Sequence, residues 1–234
     1  MTKRIRSQRR GKGSPTYRSP SHRGKGGASH PQDEVTGTVV DIVHDPARTA
    51  PVAIVEFGEE AERRNVLVPE GVSVGDELSV GVEAPIEPGN TLPLREIPEG
   101  VPICNIELQP GDGGTIARSS GTYGFVVTHE KDATRVRLPS KEFKEFDPDC
   151  RATIGQVAGG GRTEKEFEQA GEVHHRARAS GKQYPTVSAV AMNAVDHPFG
   201  GSTKPGRPKT VSRDASPGSK VGSISARRSG KKKE

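Results

Sequence analysis

The residues of this chain best suited to chemistry gather between Ala158 and Lys209. Two glycine clusters, Gly159 to Gly161 and Gly200 to Gly201, enclose Arg162, the paired histidines His174 and His175, Arg176, Arg178 and the run Ala191-Met192-Asn193-Ala194-Val195-Asp196-His197-Pro198-Phe199; Lys204 and Arg207 follow. Asp196 beside His197, with Ser188 or Ser202 nearby in sequence, invites a nucleophile reading. A triad needs a nucleophile bonded to the histidine and a third group that orients it. Neighbouring side chains of extended backbone point to opposite sides, so Asp196 is poorly placed for that third role. The chain has no Walker loop or dinucleotide fingerprint. A metal site would draw on His174, His175 and His197, but adjacent histidines rarely share an ion and no second ligand pair stands at zinc spacing. Cys104 and Cys150 lie outside any CxxC and are expected to be small, reduced, buried residues in strands. Enzymatic activity, a cofactor and a protein-ligated metal are therefore not expected.

Polyanion recognition is the chemistry that remains. Glycine lets backbone approach a second surface, and phosphates accept hydrogen bonds from Arg, Lys and backbone N–H groups. One reading folds this stretch against RNA, with His197 stacking on a base or bonding a phosphate. Asn193 and Asp196 would then meet base or ribose edges, Met192 and Phe199 would pack, and Gly160, Gly161, Gly200 and Gly201 would allow close approach. The other reading is a disordered basic linker, against which Met192, Val195 and Phe199 weigh.

The charge distribution agrees with the first reading. Residues 1–30 hold nine Lys/Arg and no acid, 31–100 four and fifteen, 101–157 seven and eight, and 158–234 fifteen and seven. The segments thus carry +9, −11, −1 and +8, which total the net +5. Two cationic arms flank an acidic middle, the electrostatic footprint of nucleic-acid binding rather than of a membrane-surface helix, since no amphipathic stripe is present. In the first arm Arg4, Arg6, Arg9, Arg10, Arg18 and Arg23 suit phosphates, while Tyr17 and His22 suit unpaired bases. The acidic middle would keep an assembly hydrated in strong salt, where the screened arms must rely on shape and short-range contacts.

The elements that must position these residues are short strands. Only 30% of the 234 residues are hydrophobic, too few for one large core. Alternating β-branched runs start at Val35: VTGTVVDIVHD, PVAIVEF, RRNVLVP and GVSVGDELSVG, with a fifth strand expected near 82–86. EPGNTLPLREI connects to a second block of VPICNIEL, TIARSS, TYGFVVTHE, RVRLP, KEFKEF and CRATIGQVA. The turn Gly111-Asp112-Gly113-Gly114 reads as a plain strand connection, because Asp112 would repel phosphate. A short helix is expected at 164–170, capped by Thr163 and Glu166. The fold class is all-β, with small barrels. The expected boundaries are a basic extension over 1–34, barrels over 35–86 and 87–157, and a Gly/basic extension over 158–234. The opening Met1-Thr2-Lys3-Arg4 leads into charge rather than an apolar signal sequence, and no run of 18 apolar residues suggests a membrane span.

VAMNAVDHPFGG resembles the hallmark of the universal large-subunit ribosomal protein L-two family, and QRRGKGSPTYRSPSHR resembles its archaeal opening. The resemblance is strongest over 5–23, 88–118, 149–162 and 188–201. Ala194 stands where the family commonly has proline. Phe199 stands where the bacterial branch has a second histidine, which points to the archaeal and eukaryotic side; the acidic middle suggests a halophilic form. Membership implies an OB-like then an SH3-like barrel, with Arg118 and Ser119 at an RNA-facing barrel end. It implies a cytoplasmic structural constituent of the large subunit, a primary binder of large-subunit ribosomal RNA near the peptidyl transferase centre. Neighbouring ribosomal proteins and the small subunit, at an intersubunit bridge, are the other implied partners, and any magnesium would be held mainly by RNA. The histidine matching His197 was once discussed in peptide-bond formation, which RNA performs. A general RNA chaperone, the alternative, calls for aromatic platforms on strands, and three Tyr and six Phe are few. A DNA-bending protein would want apolar wedges and a dimer, and neither is evident.

Overall fold

The computed structural model describes residues 3–19, 21–58, 61–201 and 210–226. The chain divides into two compact units, Ser21–Glu166 and Met1–Pro20 with Phe167–Glu234.

The first unit holds ten strands in one hydrogen-bonded sheet, and the fold is all-β. They are β1 (Val35–Val43), β2 (Val52–Phe57), β3 (Glu62–Leu67), β4 (Glu77–Val80), β5 (Thr91–Pro93), β6 (Pro102–Cys104), β7 (Gly124–His129), β8 (Thr134–Arg137), β9 (Phe143–Phe146) and β10 (Arg151–Ile154). The sheet runs β3-β2-β1-β4-β5-β10-β6-β7-β8-β9. Alternation buries one side of strands such as β8, the short β5 is buried throughout, and two main cores result. Val39, Ala53, Val55, Phe57, Val66, Val68, Leu78 and Val80 form the first. Leu92, Leu94, Ile97, Ile103, Ile106, Val126, Val136, Phe146 and Ile154 lead the second. Each fully buried Val, Leu or Ile contributes about 1.5–3 kcal/mol, so these cores dominate the unit's stability. Ala28, Ala50, Leu67, Cys104 and Val157 make a third, smaller cluster.

Three expectations need correction. Residues 82–86 form no strand; the short β5 lies at Thr91–Pro93, inside the segment read as a connection. TIARSS contributes only a bridge between Ile106 and Ile116, because Ala117 adopts φ 54° and breaks the extended run. The expected 164–170 helix is replaced by a 3-10 turn at Gly160–Thr163 and by α2 at Ala170–Ala179. Glu164 and Glu168 would repel four residues apart on a helix there.

The segment 28–32 belongs to this unit rather than to a free arm. Arg118 donates to the Ala28 carbonyl (2.5 Å), and Arg151 Nη1 donates to those of Pro31 (2.5 Å) and Gln32 (3.2 Å). Buried His30 donates its backbone N–H to the Gly113 carbonyl (3.1 Å), and its Nε2 lies 2.7 Å from the Asn105 carbonyl. A carbonyl only accepts, so Nε2 carries the proton. Burial lowers the His30 pKa to about 4 and keeps the ring neutral. Below it, fully buried Glu107 accepts from the N–H groups of Gly111, Gly113 and Arg151 and from the Arg151 guanidinium.

The second unit contains α1 (Arg6–Gly11), α2, and the two-residue strands β11 (Thr210–Val211) and β12 (Ser223–Ile224), which pair in parallel. None of the described helices is long and apolar enough to cross a membrane.

Candidate nucleic-acid interface

In the second unit the two basic ends of the chain meet. Ile5, buried, precedes α1 and donates its N–H to Gln8 Oε1 (3.1 Å). Arg6 donates to the Val187 carbonyl (3.2 Å), Tyr17 Oη to Gln183 Oε1 (3.1 Å) and Ser19 Oγ to the Ala179 carbonyl (3.2 Å). Gly181, at φ +65°, takes the conformation glycine adopts without strain, and a Cβ there would stand 2.7 Å from the Arg18 carbonyl carbon. Lys3 donates its N–H to the Val195 carbonyl (3.0 Å), and its ammonium pairs with Asp196 (3.1 Å). The two ends are expected from sequence as separate extensions; their pairing is not legible there, because no local pattern encodes contacts 160 or more residues apart.

The Met192–Gly201 segment is a tight double turn rather than extended chain. The Asn193 carbonyl accepts from Asp196 N–H (3.0 Å) and His197 N–H (3.2 Å). The His197 carbonyl accepts from Gly200, and that of Met192 from Gly201. A Cβ on Gly200 would run into the carbonyls of Asn193 and Met192. The glycine thus serves the chain's own backbone. Phe199 N–H donates to His197 Nδ1 (3.0 Å), and the two rings lie 5.2 Å apart. Nδ1 is therefore an acceptor, which puts the proton of the neutral ring on Nε2. Burial, then the Arg6 cation, lowers the His197 pKa and favours this neutral form. Asp196 turns to Lys3, so the two residues make no acid–base pair. A cleft of about 970 Å³ is lined by Lys3, Arg4, Gln8, His197 and Phe199 among others.

Arg4, Arg9 and Arg10 are exposed, with Arg9 and Arg10 in the last turn of α1. Along α2 no residue is buried. Such a helix contributes no buried face to a core of its own. His174 and His175 are exposed with rings 5.4 Å apart, Arg176 stands 5.0 Å over the Phe167 ring, and Arg178 is exposed. Among the described residues, Arg4, Arg9, Arg10, Arg18, Arg176 and Arg178 form no ion pair with a carboxylate. In the β unit, by contrast, Arg48, Arg63, Arg64, Arg95 and Arg151 all do. Lys204 and Arg207 lie outside the described residues.

The remaining expected contacts sit in the β unit. His22 and Arg23 are exposed on a 3-10 turn. Arg118 is half-buried and spent on the carbonyls of Gly114 and Ala28; exposed Ser119 accepts from Thr122 Oγ. Arg162 donates to Ser120 Oγ (3.0 Å). Gly160 packs on Gly121, where a Cβ would meet the Gly160 Cα at 2.5 Å, while Gly161 faces open space. In the 111–114 turn Asp112 accepts from the N–H groups of Leu108, Gln109 and Gly114, and Glu107 takes those of Gly111 and Gly113. The chain's own carboxylates thus occupy the amides a phosphate would need. Among the described residues, no group of three or more His, Cys, Asp or Glu stands ready to hold a metal.

Known proteins share this chain's sequence over almost its full length. The family described as Ribosomal Proteins L2, RNA binding N-terminal domain, matches residues 2–80. Ribosomal Proteins L2, C-terminal domain, matches residues 87–222. The Large ribosomal subunit protein uL2 of Haloarcula marismortui is 59% identical over 237 residues, covering 99% of this chain and 98% of the relative. That of Haloquadratum walsbyi is likewise 59% identical, covering 99% and 97%. The protein of the same name from Methanothermobacter thermautotrophicus is 56% identical with full coverage of both. A chain with this all-β unit, these unpaired cations and these relatives belongs to the ribosomal L2 protein family, in its archaeal form.

Proposed function

We propose that this chain is a structural constituent of the large ribosomal subunit that binds large-subunit ribosomal RNA. The observation that carries the reading is the contrast in cation pairing. Five arginines of the β unit, Arg48, Arg63, Arg64, Arg95 and Arg151, face carboxylates, whereas among the described residues no arginine of the segments 3–19 and 167–201 does. A polyanion supplies the missing partner and releases its counterions on binding. His197 meets the RNA as an Nε2–H donor, and Arg4, Arg6, Arg9, Arg10, Arg18, Arg176 and Arg178 meet phosphates. The finer assignment follows the resemblance: RNA beside the peptidyl transferase centre, neighbouring ribosomal proteins, and the small subunit at an intersubunit bridge, all in the cytoplasm. The role is binding and support of translation rather than catalysis. Magnesium, where present, is held by RNA phosphates with at most a backbone carbonyl of residues 190–202 in its shell. The acidic middle suits solubility in strong salt.

The test mixes purified chain with large-subunit ribosomal RNA in high potassium and magnesium and maps protected nucleotides. The expected result is a discrete footprint beside the peptidyl transferase domain that disappears when residues 188–204 are deleted. Diffuse protection that vanishes with added salt refutes the assignment.

A further inference from the structure

We propose that the outer face of β7, β8 and β9 is a second RNA-binding site, a platform on which unpaired bases stack. It belongs to the Ser21–Glu166 unit, whereas the Met192–Gly201 turn belongs to the other unit, and it rests on the reading that the partner is RNA.

Strand register builds the platform. Phe125 pairs with Arg137, and Arg137 pairs with Phe143, so the three side chains form one row across three strands. Cross-strand partners share a face. Their neighbours Val126 and Val136, with Phe146, are buried in the second core, so the row faces outward. Phe143 is 54% exposed and Tyr123 is 36% exposed. Tyr123 meets Phe125 edge-on with ring centroids 5.1 Å apart. The Arg135 guanidinium sits 5.0 Å over the Phe143 ring.

Charge identifies the occupant. The segment 134–146 carries Arg135, Arg137, Lys141 and Lys144 against Glu142 and Glu145, a local +2 in a middle that is otherwise acidic. Arg135 pairs with Glu145 across the ladder. Among the described residues, however, neither Arg135 nor Arg137 forms an ion pair. Cations that decline a nearby carboxylate and stand among exposed rings suit a ligand with phosphates and flat bases together. An apolar protein surface fits less well, because Arg137 splits the aromatic row. β9 is also the last strand of the sheet, which leaves this face open at its margin.

The test measures binding of the full chain to large-subunit ribosomal RNA across a salt series, with Phe143→Ser, Arg137→Ser and, as a reference, Arg9→Ala. Phe143 is exposed, so its replacement spares the core. Phe143→Ser is expected to weaken binding about tenfold with unchanged salt dependence, the signature of a lost base stack. Arg137→Ser is expected to lower the slope of log affinity against log salt by about 0.7, one phosphate on a single strand. Ultraviolet cross-linking of the parent is expected to leave a nucleotide adduct on Tyr123 or Phe143. Parent-like binding by both platform variants, with Arg9→Ala weakened, overturns the platform and leaves the RNA reading standing. Unchanged RNA affinity with loss of binding to a neighbouring ribosomal protein also overturns it. A parent chain that binds no RNA removes both readings.

Discussion

Replacing Glu107 by alanine is expected to be among the most damaging single changes in the β unit. The carboxylate is fully buried and accepts from the N–H groups of Gly111 (3.2 Å), Gly113 (3.0 Å) and Arg151 (2.9 Å) and from Arg151 Nη2 (3.0 Å). The Arg151 side chain is itself only 13% exposed. Burial pushes the Glu107 carboxyl upward in pKa, but the bonds from Arg151 and Gly111 outweigh it and hold the group below its ordinary value. Removing one partner of a buried pair costs about 3–5 kcal/mol, since the other charge is left uncompensated. The three orphaned amides would add to this, but water entering the cavity and the bonds from Arg151 to Pro31 and Gln32 offset part of it. The expected loss is about 4 kcal/mol, or about 12 °C in Tm for a domain of this size. Glu107→Gln keeps the volume and one acceptor, and about half that loss is expected. Thermal unfolding followed by circular dichroism at constant potassium chloride measures both. Hydrogen exchange gives a local readout, because the His30 N–H, bonded to Gly113, should lose protection. A Glu107→Ala loss under about 1 kcal/mol would refute the reasoning, since the pair would then contribute no more than an exposed one.

Three further expectations follow from titrating groups. His30 has a folded pKa of about 4 against an ordinary 6.5, so between these values the unfolded chain binds the proton more readily. The His30 contribution should therefore lower stability by about 3 kcal/mol as pH drops from 6.5 to 4 and change little below that, and His30→Gln should flatten that part of the slope in acid unfolding curves. His197 should show the Nε2–H tautomer in nitrogen–proton correlation spectra and titrate below an ordinary histidine; an Nδ1–H form would contradict the Phe199 hydrogen bond. Burial raises the thiols of Cys104 to about 12 and Cys150 to about 11, so both should resist alkylation at pH 8 until the chain unfolds, which mass spectrometry checks.

Much of the β unit was legible because strand alternation is a local signal. VTGTVVDIV, VAIVEF and GFVVTH announce their buried sides residue by residue, and each is a strand. The short β5 was not legible: Thr91–Pro93 has three residues, and its antiparallel partners Arg151, Ala152 and Thr153 lie some 60 residues away. α2 was misplaced because a helix without a buried face leaves no periodic trace. The residues suited to RNA could be picked out by type, but their geometry could not. Gly160 and Gly200 look like points of approach for another molecule and are occupied by the chain's own backbone. Arg118 looks like a free cation and holds Ala28. The platform on β7 to β9 was hidden because Phe125 and Phe143 become neighbours of Arg137 only through register.

Residue type alone thus determined the charge segregation, the strand-rich middle and the motif around His197, since charge, branching and glycine content are properties of the chain itself. Tertiary structure decided which cations have partners, which ring nitrogen of His197 carries the proton, and that the two basic ends form one unit. Those outcomes depend on distances between residues as far apart as Lys3 and Asp196, and only folding sets such distances.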